Sequence, residues 1–163
     1  MSDTYVSPLS TRYASAYMLE LFSQTKRIRT WRRLWVSLAR AEHALGLPVT
    51  EDQVKELEEH VDDIDFDAAA AREKEVRHDV MAHVYAYGLA APGAAGVIHL
   101  GATSCYVTDN ADLILYRDGL RYLRDELLRH RQRGPDHLPR RSALPARRAA
   151  EGDPQPGGLC RKV

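Results

Sequence analysis

Arg77, His78 and Asp79 form a run of residues that could bind an anion and transfer a proton, and His83 follows five positions after His78. A guanidinium offers a planar fork to a phosphate or carboxylate, and an imidazole exchanges a proton near neutral pH. The two histidines would lie on different faces of a helix, so their spacing predicts no metal site. The run predicts a site for an anionic substrate, and a solvated helix face is the alternative that these residues also fit.

A second cluster, Gly101–Ser104, combines small residues with two hydroxyls just before a long helical segment. Small residues let the backbone approach a ligand, and Thr103 and Ser104 add donors near a helix start, where anions bind favourably. An ordinary helix-capping loop has the same composition. The Gly-Lys-Ser/Thr ending of a phosphate-binding P-loop does not occur in this cluster. Near the N-terminus, Arg12 and Tyr13 are a third candidate pair, which a surface contact would also explain.

These candidates must be positioned by helices, because apolar residues recur at steps of three and four between residues 15 and 128. One stripe comprises Ile28, Trp31, Leu34, Trp35, Leu38, Ala41 and Leu45, and the other comprises Leu113, Tyr116, Leu120, Leu123 and Leu127. The basic residues between 26 and 33 interleave with the first stripe, which predicts the polar face of an amphipathic helix. The second stripe is typical of a seam against other helices.

Capping signals mark the helix ends, with Gly46 and Pro48 as stop signals, Thr50 and Gln53 as a capping box, and Asp65 as an N-cap. Segment 91–96 is a loop rich in Pro and Gly, and a long helix is predicted to begin near Thr108 or Asp109. We find no alternation of strand and helix patterns, so the sequence predicts an all-α fold.

The charge balance conceals an asymmetry between two segments. The chain has 23 basic and 23 acidic residues, which argues against a nucleic-acid-binding protein. Residues 1–128 carry 14 basic and 20 acidic side chains, whereas residues 129–163 carry nine basic and three acidic ones. The second segment holds eight Arg and five Pro but four large apolar residues. Such a composition predicts a disordered tail.

Two cysteines, Cys105 and Cys160, cannot build a disulfide framework, so we expect a reducing compartment and Cys105 as a small core residue. No apolar run reaches the roughly 18 residues that a membrane span needs. The first ten residues lack a secretory signal pattern. These features predict a cytoplasmic protein that does not enter a membrane.

Taken together, several segments resemble the adenylosuccinate lyases of the animal and fungal-like branch, in the same order and with similar spacing. The resemblance covers roughly residues 5–128. The matching segments are residues 7–15, 29–35, 39–42, 45–48, 77–83 and 98–107, with Asp109 and Asn110 directly after the last.

The resemblance implies the fold of the fumarase/aspartase superfamily, an all-α subunit whose long central helices assemble into a homotetramer. It divides the chain into an N-terminal helical domain (1–110), the start of a central-bundle helix (111–128) and the tail (129–163). The implied reaction is β-elimination of fumarate from adenylosuccinate, giving AMP, and from the succinyl-carboxamide ribotide of purine biosynthesis. No cofactor and no metal are implied.

Carried over position by position, the resemblance implies a set of substrate-binding residues. They are Arg12, Tyr13, Arg77, His78, Asp79, Thr103 and Ser104. The first two would lie on the phosphate and ribose side of the substrate, and the last two would bind a succinyl carboxylate. His78 would be the catalytic residue beside the reacting group.

The sequence departs from the family pattern after Leu128. The family's Thr-His-x-Gln-Pro motif, whose His is the general acid, does not follow. The family's loop with the Ser that acts as the base does not follow either. We therefore expect a truncated chain that is inactive alone, with residues 129–163 disordered or translated out of frame. One alternative is a non-catalytic helical fragment that associates with full-length lyase subunits. Another is a different superfamily lyase, of the argininosuccinate or carboxymuconate type.

Overall fold

Six α-helices make up most of the region that the computed structural model describes, residues 5–132. They are α1 (Ala16–Leu21), α2 (Gln24–Ala44), α3 (Glu51–Glu59), α4 (Phe66–Val76), α5 (Asp79–Ala90) and α6 (Ser104–Gln132). A π-helical turn, Leu9–Tyr13, precedes them. Residues 5–132 contain no strand, so the predicted all-α fold is confirmed for this part of the chain.

Helix α2 provides much of the hydrophobic core. Ile28, Trp31 and Trp35 of the predicted stripe are at most 3% exposed, whereas Leu45, beyond the helix end, is exposed. Helix α2 packs against α1 and α3, and the core continues through apolar residues of α3, α5, the 91–98 segment and α6. The three-and-four spacing of α2 thus predicts the burial of these three residues correctly. Ala41 of the stripe is exposed, whereas Val36 and Ala39 outside it are buried.

The helix ends follow the predicted capping signals. Oγ1 of Thr50 accepts the amide of Gln53 at 3.2 Å, and Oε1 of Gln53 accepts the amide of Thr50 at 3.0 Å, which completes a capping box. Asp65 caps α4 by accepting the amide of Ala68 at 2.8 Å. Gly46 follows α2 with a φ of +77°, a conformation that glycine adopts without steric strain.

Helix α6 begins at Ser104, earlier than the start predicted near Thr108. Its buried face consists of Val107, Ala111, Leu115 and Gly119. The second predicted stripe lies on another face, and its members are between 46% and 70% exposed. They are Leu113, Tyr116, Leu120, Leu123 and Leu127.

Residues 1–123 and 124–163 form two separate units. Within the second unit, residues 124–132 are described and are helical. The predicted boundary between residues 128 and 129 falls within α6, and the rest of the predicted tail, residues 133–163, lies outside the described residues. In the described region we find no helix with the length and apolar character required to cross a membrane.

Two expectations about burial are wrong. Cys105 is exposed, because Val107 and Ala111 set the buried face of α6. Arg32, expected on a polar face, is fully buried. Its Nη1 donates to the carbonyls of His60 and Asp63 at 2.6 and 2.8 Å in the turn after α3, and these bonds partner a buried charged group.

Candidate functional site

His78 and Ser104, one from each sequence cluster, meet in space. Nε2 of His78 lies 3.2 Å from Oγ of Ser104, although 26 positions separate them in the sequence. His78 is the residue before α5, and Ser104 is the first residue of α6. The fold therefore brings the N-terminal ends of two helices to one point.

His78 also caps α5. Its Nδ1 accepts the amide of Met81 at 3.4 Å. A ring nitrogen that accepts a hydrogen bond carries no proton, so the neutral ring holds its proton on Nε2, which faces Ser104. The carboxylate of Asp79 lies 3.6 Å from Nδ1 and accepts the amide of Val80 at 2.7 Å. The cap thus orients an imidazole N–H toward the Ser104 hydroxyl.

Arg77 makes the turn between α4 and α5. Its backbone is left-handed, with φ 52° and ψ 40°, a conformation that costs a non-glycine residue about 1 kcal/mol or more. Its amide closes α4 by donating to the carbonyl of Glu73 at 2.7 Å. The strained turn ends one helix at Arg77 and lets His78 start the next.

The start of α6 is fixed against α2. The carbonyl of Thr103 accepts the amide of Tyr106 at 2.9 Å, and the hydroxyl of Tyr106 donates to the carbonyl of Leu34 at 3.0 Å. Thr103 is exposed and Ser104 is half-buried. The first amides of a helix have no intrahelical acceptor, so together with the two hydroxyls they can bind a carboxylate.

Arg12 and Tyr13 form a third candidate pair in the described region. Both are exposed in the π-helical turn, and the guanidinium carbon of Arg12 is 5.8 Å from the centre of the Tyr13 ring. Within residues 5–132, no hydrogen bond or ion pair links either side chain to His78 or Ser104. The same region contains no group of three His, Cys, Asp or Glu residues placed to hold a metal ion.

His99 is a site residue that the sequence analysis did not select. Its Nδ1 accepts the indole N–H of Trp35 at 3.0 Å. Burial lowers the pKa of the His99 imidazole, and the neighbouring His78 lowers it further. The sequence signal was a histidine four positions before Thr103, in the same short loop. His99 thus extends the candidate site from two helix ends into the loop between α5 and α6.

A buried carboxyl lies against that loop. Glu42 is 7% exposed, and burial raises the pKa of its carboxyl group. Gly101 has a φ of +65°, and a Cβ at this position would lie 3.7 Å from Oε1 of Glu42. The loop therefore needs a residue that tolerates the left-handed conformation at this point.

Comparisons with known proteins bear on the chemistry of this site. No family model matches the chain. The adenylosuccinate lyase of Schizosaccharomyces pombe is 55% identical over 128 residues, and that of Schistosoma mansoni is 49% identical over 127 residues. The matched segment is similar to adenylosuccinate lyases. The adenylosuccinate lyase of Saccharomyces cerevisiae agrees, with 55% identity over 119 residues.

The match to the adenylosuccinate lyases covers most of this chain but a smaller part of its relatives. It includes 77%, 78% and 71% of this chain in the three cases. The chain spans 27%, 26% and 25% of the respective relatives, about a quarter of their length. The recognised resemblance to adenylosuccinate lyases is confirmed over the matched segment.

Proposed function

We propose that this chain supplies substrate-binding residues of an adenylosuccinate lyase site. The reaction would be β-elimination of fumarate from adenylosuccinate, giving AMP, and from the succinyl-carboxamide ribotide of purine biosynthesis. A proton leaves the carbon next to one succinyl carboxylate, the carbon–nitrogen bond breaks, and the departing nitrogen takes up a proton. The electron pair of the C–H bond becomes the double bond of fumarate.

The observation that carries this proposal is the contact between His78 and Ser104 at 3.2 Å. It joins the two clusters that the sequence analysis selected independently, and it does so at the N-terminal ends of α5 and α6. Helix N-termini favour anions because their free amides and their dipole present positive charge. A substrate with two carboxylates and a phosphate suits such a place.

Within this proposal, each candidate has a stated role. Thr103 and Ser104 bind a succinyl carboxylate through their hydroxyls and the first amides of α6. His78 touches the reacting group through Nε2, and Arg77 with Asp79 completes the second substrate segment. Arg12 and Tyr13 contact the phosphate and ribose, which requires the substrate to bridge them to the His78–Ser104 pair.

The proposed site needs residues that the 163-residue sequence does not contain. The Thr-His-x-Gln-Pro motif, expected to supply the general acid, is absent from it. We therefore expect the purified chain to leave adenylosuccinate unchanged. In a homotetramer of the family type, other segments and subunits would complete the proton transfers.

A chimera tests the proposal directly. Residues 5–128 would replace the homologous segment of the Schizosaccharomyces pombe adenylosuccinate lyase, and conversion of adenylosuccinate would be followed. We expect the chimera to be active. Ser104→Ala should lower kcat/KM by about 10- to 100-fold, since a hydrogen bond to a charged group is lost. An active chimera that tolerates Ser104→Ala would contradict the proposed role.

Ser37→Ala is the matched control for Ser104→Ala. The Ser37 hydroxyl donates to the carbonyl of Arg33 at 2.9 Å on the exposed side of α2. This substitution removes the same hydroxyl away from the candidate site, so kcat/KM should not change. Equal losses from both substitutions would indicate a general effect on folding.

A second candidate function is association without catalysis. It is favoured by the exposure of Leu113 and Leu120, each 66% exposed on α6. A contiguous apolar stripe of this kind is typical of a protein–protein contact. In this alternative, the chain binds full-length lyase subunits through that stripe. Size-exclusion chromatography with and without a full-length lyase separates the two functions.

A further inference from the structure

The two tryptophans of α2 differ in one polar contact. Trp35 is 1% exposed, and its Nε1 donates to Nδ1 of His99 at 3.0 Å. Trp31 is 2% exposed, and its Nε1 has no hydrogen-bond partner among the described residues. The two rings lie side by side, with centroids 6.3 Å apart. Of the two tryptophans, Trp35 alone donates a hydrogen bond to the loop before α6 among the described residues.

The contact from Trp35 determines where His99 can carry its proton. An indole N–H is a donor only, so the imidazole nitrogen that it meets must be an unprotonated acceptor. The proton of the neutral ring is then on Nε2. Burial and the nearby His78 lower the pKa of His99, so the ring is neutral at neutral pH. The hydrogen bond from Trp35 and the lowered pKa thus both favour the neutral His99 ring with its proton on Nε2.

The backbone adds a second constraint on this ring. His99 has a left-handed φ of 66°, and its carbonyl accepts the amide of Ala102 at 3.3 Å. The His99 ring stands nearly perpendicular to that of Trp35, at 87°. His99 is thus held from its backbone and from Nδ1, and no hydrogen bond of Nε2 is found among the described residues.

We propose that Trp35 is a positioning residue: its indole N–H holds His99 as the neutral, Nε2-protonated tautomer in the loop that leads to Thr103 and Ser104. The value of this tautomer for catalysis rests on the proposed lyase function, whereas the tautomer itself does not. With Nε2–H, His99 offers a donor to an anionic substrate. The other tautomer would offer an acceptor at the same place.

Nitrogen NMR of the full-length chain tests the tautomer without any activity. In the unsubstituted protein, Nδ1 of His99 should show the shift of an unprotonated nitrogen and Nε2 that of a protonated one. A through-hydrogen-bond coupling between Trp35 Nε1 and His99 Nδ1 should be detectable. A protonated Nδ1, or the absence of this coupling, would overturn the proposal even if no variant folds.

Two matched substitutions then separate the hydrogen bond from the packing. Trp35→Phe removes the donor, so His99 should become a mixture of tautomers. Trp31→Phe removes a similar ring whose N–H has no partner, so the His99 shifts should be unchanged. If Trp35→Phe leaves the His99 nitrogen shifts where they are, the indole does not set the tautomer.

Activity of the chimera connects the tautomer to function. Trp35→Phe should lower kcat/KM about tenfold, the typical effect of one lost neutral hydrogen bond, and Trp31→Phe should leave it within twofold. Equal effects of the two substitutions would overturn the positioning role. An inactive chimera whose His99 keeps the single tautomer would count against the proposed function and not against the hydrogen bond.

Discussion

His78 and Ser104 are in side-chain contact at 3.2 Å, and each stands at the N-terminal end of a different helix. The same imidazole caps α5 through Nδ1, so one nitrogen stabilises the helix and the other faces the site. Under the proposed function, catalysis and helix stability would therefore depend on the same side chain. Substitutions can separate the two roles, because some residues cap a helix well without an imidazole.

His78→Asn should preserve the cap and remove the imidazole. We expect the free energy of unfolding of the full-length chain to stay within about 0.5 kcal/mol, since Asn is among the best N-cap residues. His78→Ala should destabilise it by about 0.5–1 kcal/mol through loss of the cap. Chemical denaturation followed by circular dichroism measures both.

In the chimera, both His78 substitutions should lower kcat by about 100-fold or more, the usual effect of losing a group that exchanges protons. Activity retained by His78→Asn would show that the cap, and not the imidazole, is what the reaction needs.

Gly101→Ala should disturb the site, whereas Gly46→Ala should not. Both glycines have positive φ, of 65° and 77°, so each substitution should cost about 1 kcal/mol of stability. A Cβ at Gly101 would face Oε1 of Glu42 at 3.7 Å, while nothing lies within 4 Å of a Cβ at Gly46. A distance of 3.7 Å is ordinary van der Waals contact, so the backbone strain is the disturbing factor at both positions. Because Gly101 lies two positions before Thr103, we expect a higher KM in the chimera from Gly101→Ala alone. Equal KM values for the two variants would contradict a role of the loop conformation.

Local features of the fold could be predicted from the sequence. The capping box of Thr50 and Gln53 and the N-cap of Asp65 depend on residues three positions apart, so their signals are complete within a short window. The burial of Ile28, Trp31 and Trp35 in α2 follows from a strong three-and-four pattern. His78 and Ser104 stand out by residue type alone, because the sequence predicts neither a helix start at Asp79 nor one at Ser104.

Long-range contacts could not be predicted in the same way. The bond between Trp35 and His99 joins positions 64 apart, and the burial of Arg32 depends on carbonyls 28 and 31 positions away. On α6 the buried face includes the small residues Ala111 and Gly119, which carry a weak hydrophobic signal. The larger leucine stripe dominates the pattern even though it is exposed.

His83 should make the chain less stable in mild acid. Its ring is 7% exposed, packs edge-on against Trp31 and Phe66, and has an Nδ1 without a partner in the described region. Burial lowers the pKa of His83 from its ordinary value of 6.5, and the Arg32 charge lowers it further, while Asp79 opposes the shift. The unfolded chain therefore binds a proton more readily, and stability falls as pH drops below about 6.5.

Thermal unfolding of the full-length chain between about pH 7.5 and pH 5 measures this effect. His83→Phe keeps an aromatic ring but cannot be protonated, so its Tm should fall less over this range. His99, whose pKa is also lowered, keeps part of the dependence. His130→Gln, at an exposed position of α6, should reproduce the original profile. A His83→Phe profile parallel to the original would exclude His83 as a source of acid sensitivity.

The exposed stripe of α6 should drive association of the chain. Leu113 and Leu120 are each 66% exposed, so Leu113→Glu with Leu120→Glu should leave stability within about 0.5 kcal/mol, as is usual for surface positions. Light scattering after size-exclusion chromatography should show oligomers of the original chain and a monomer of the double variant. Leu115→Glu is the contrasting control, since Leu115 is 4% exposed and burial of a charge there should unfold the chain. A monomeric original chain at high concentration would show that the stripe does not associate by itself.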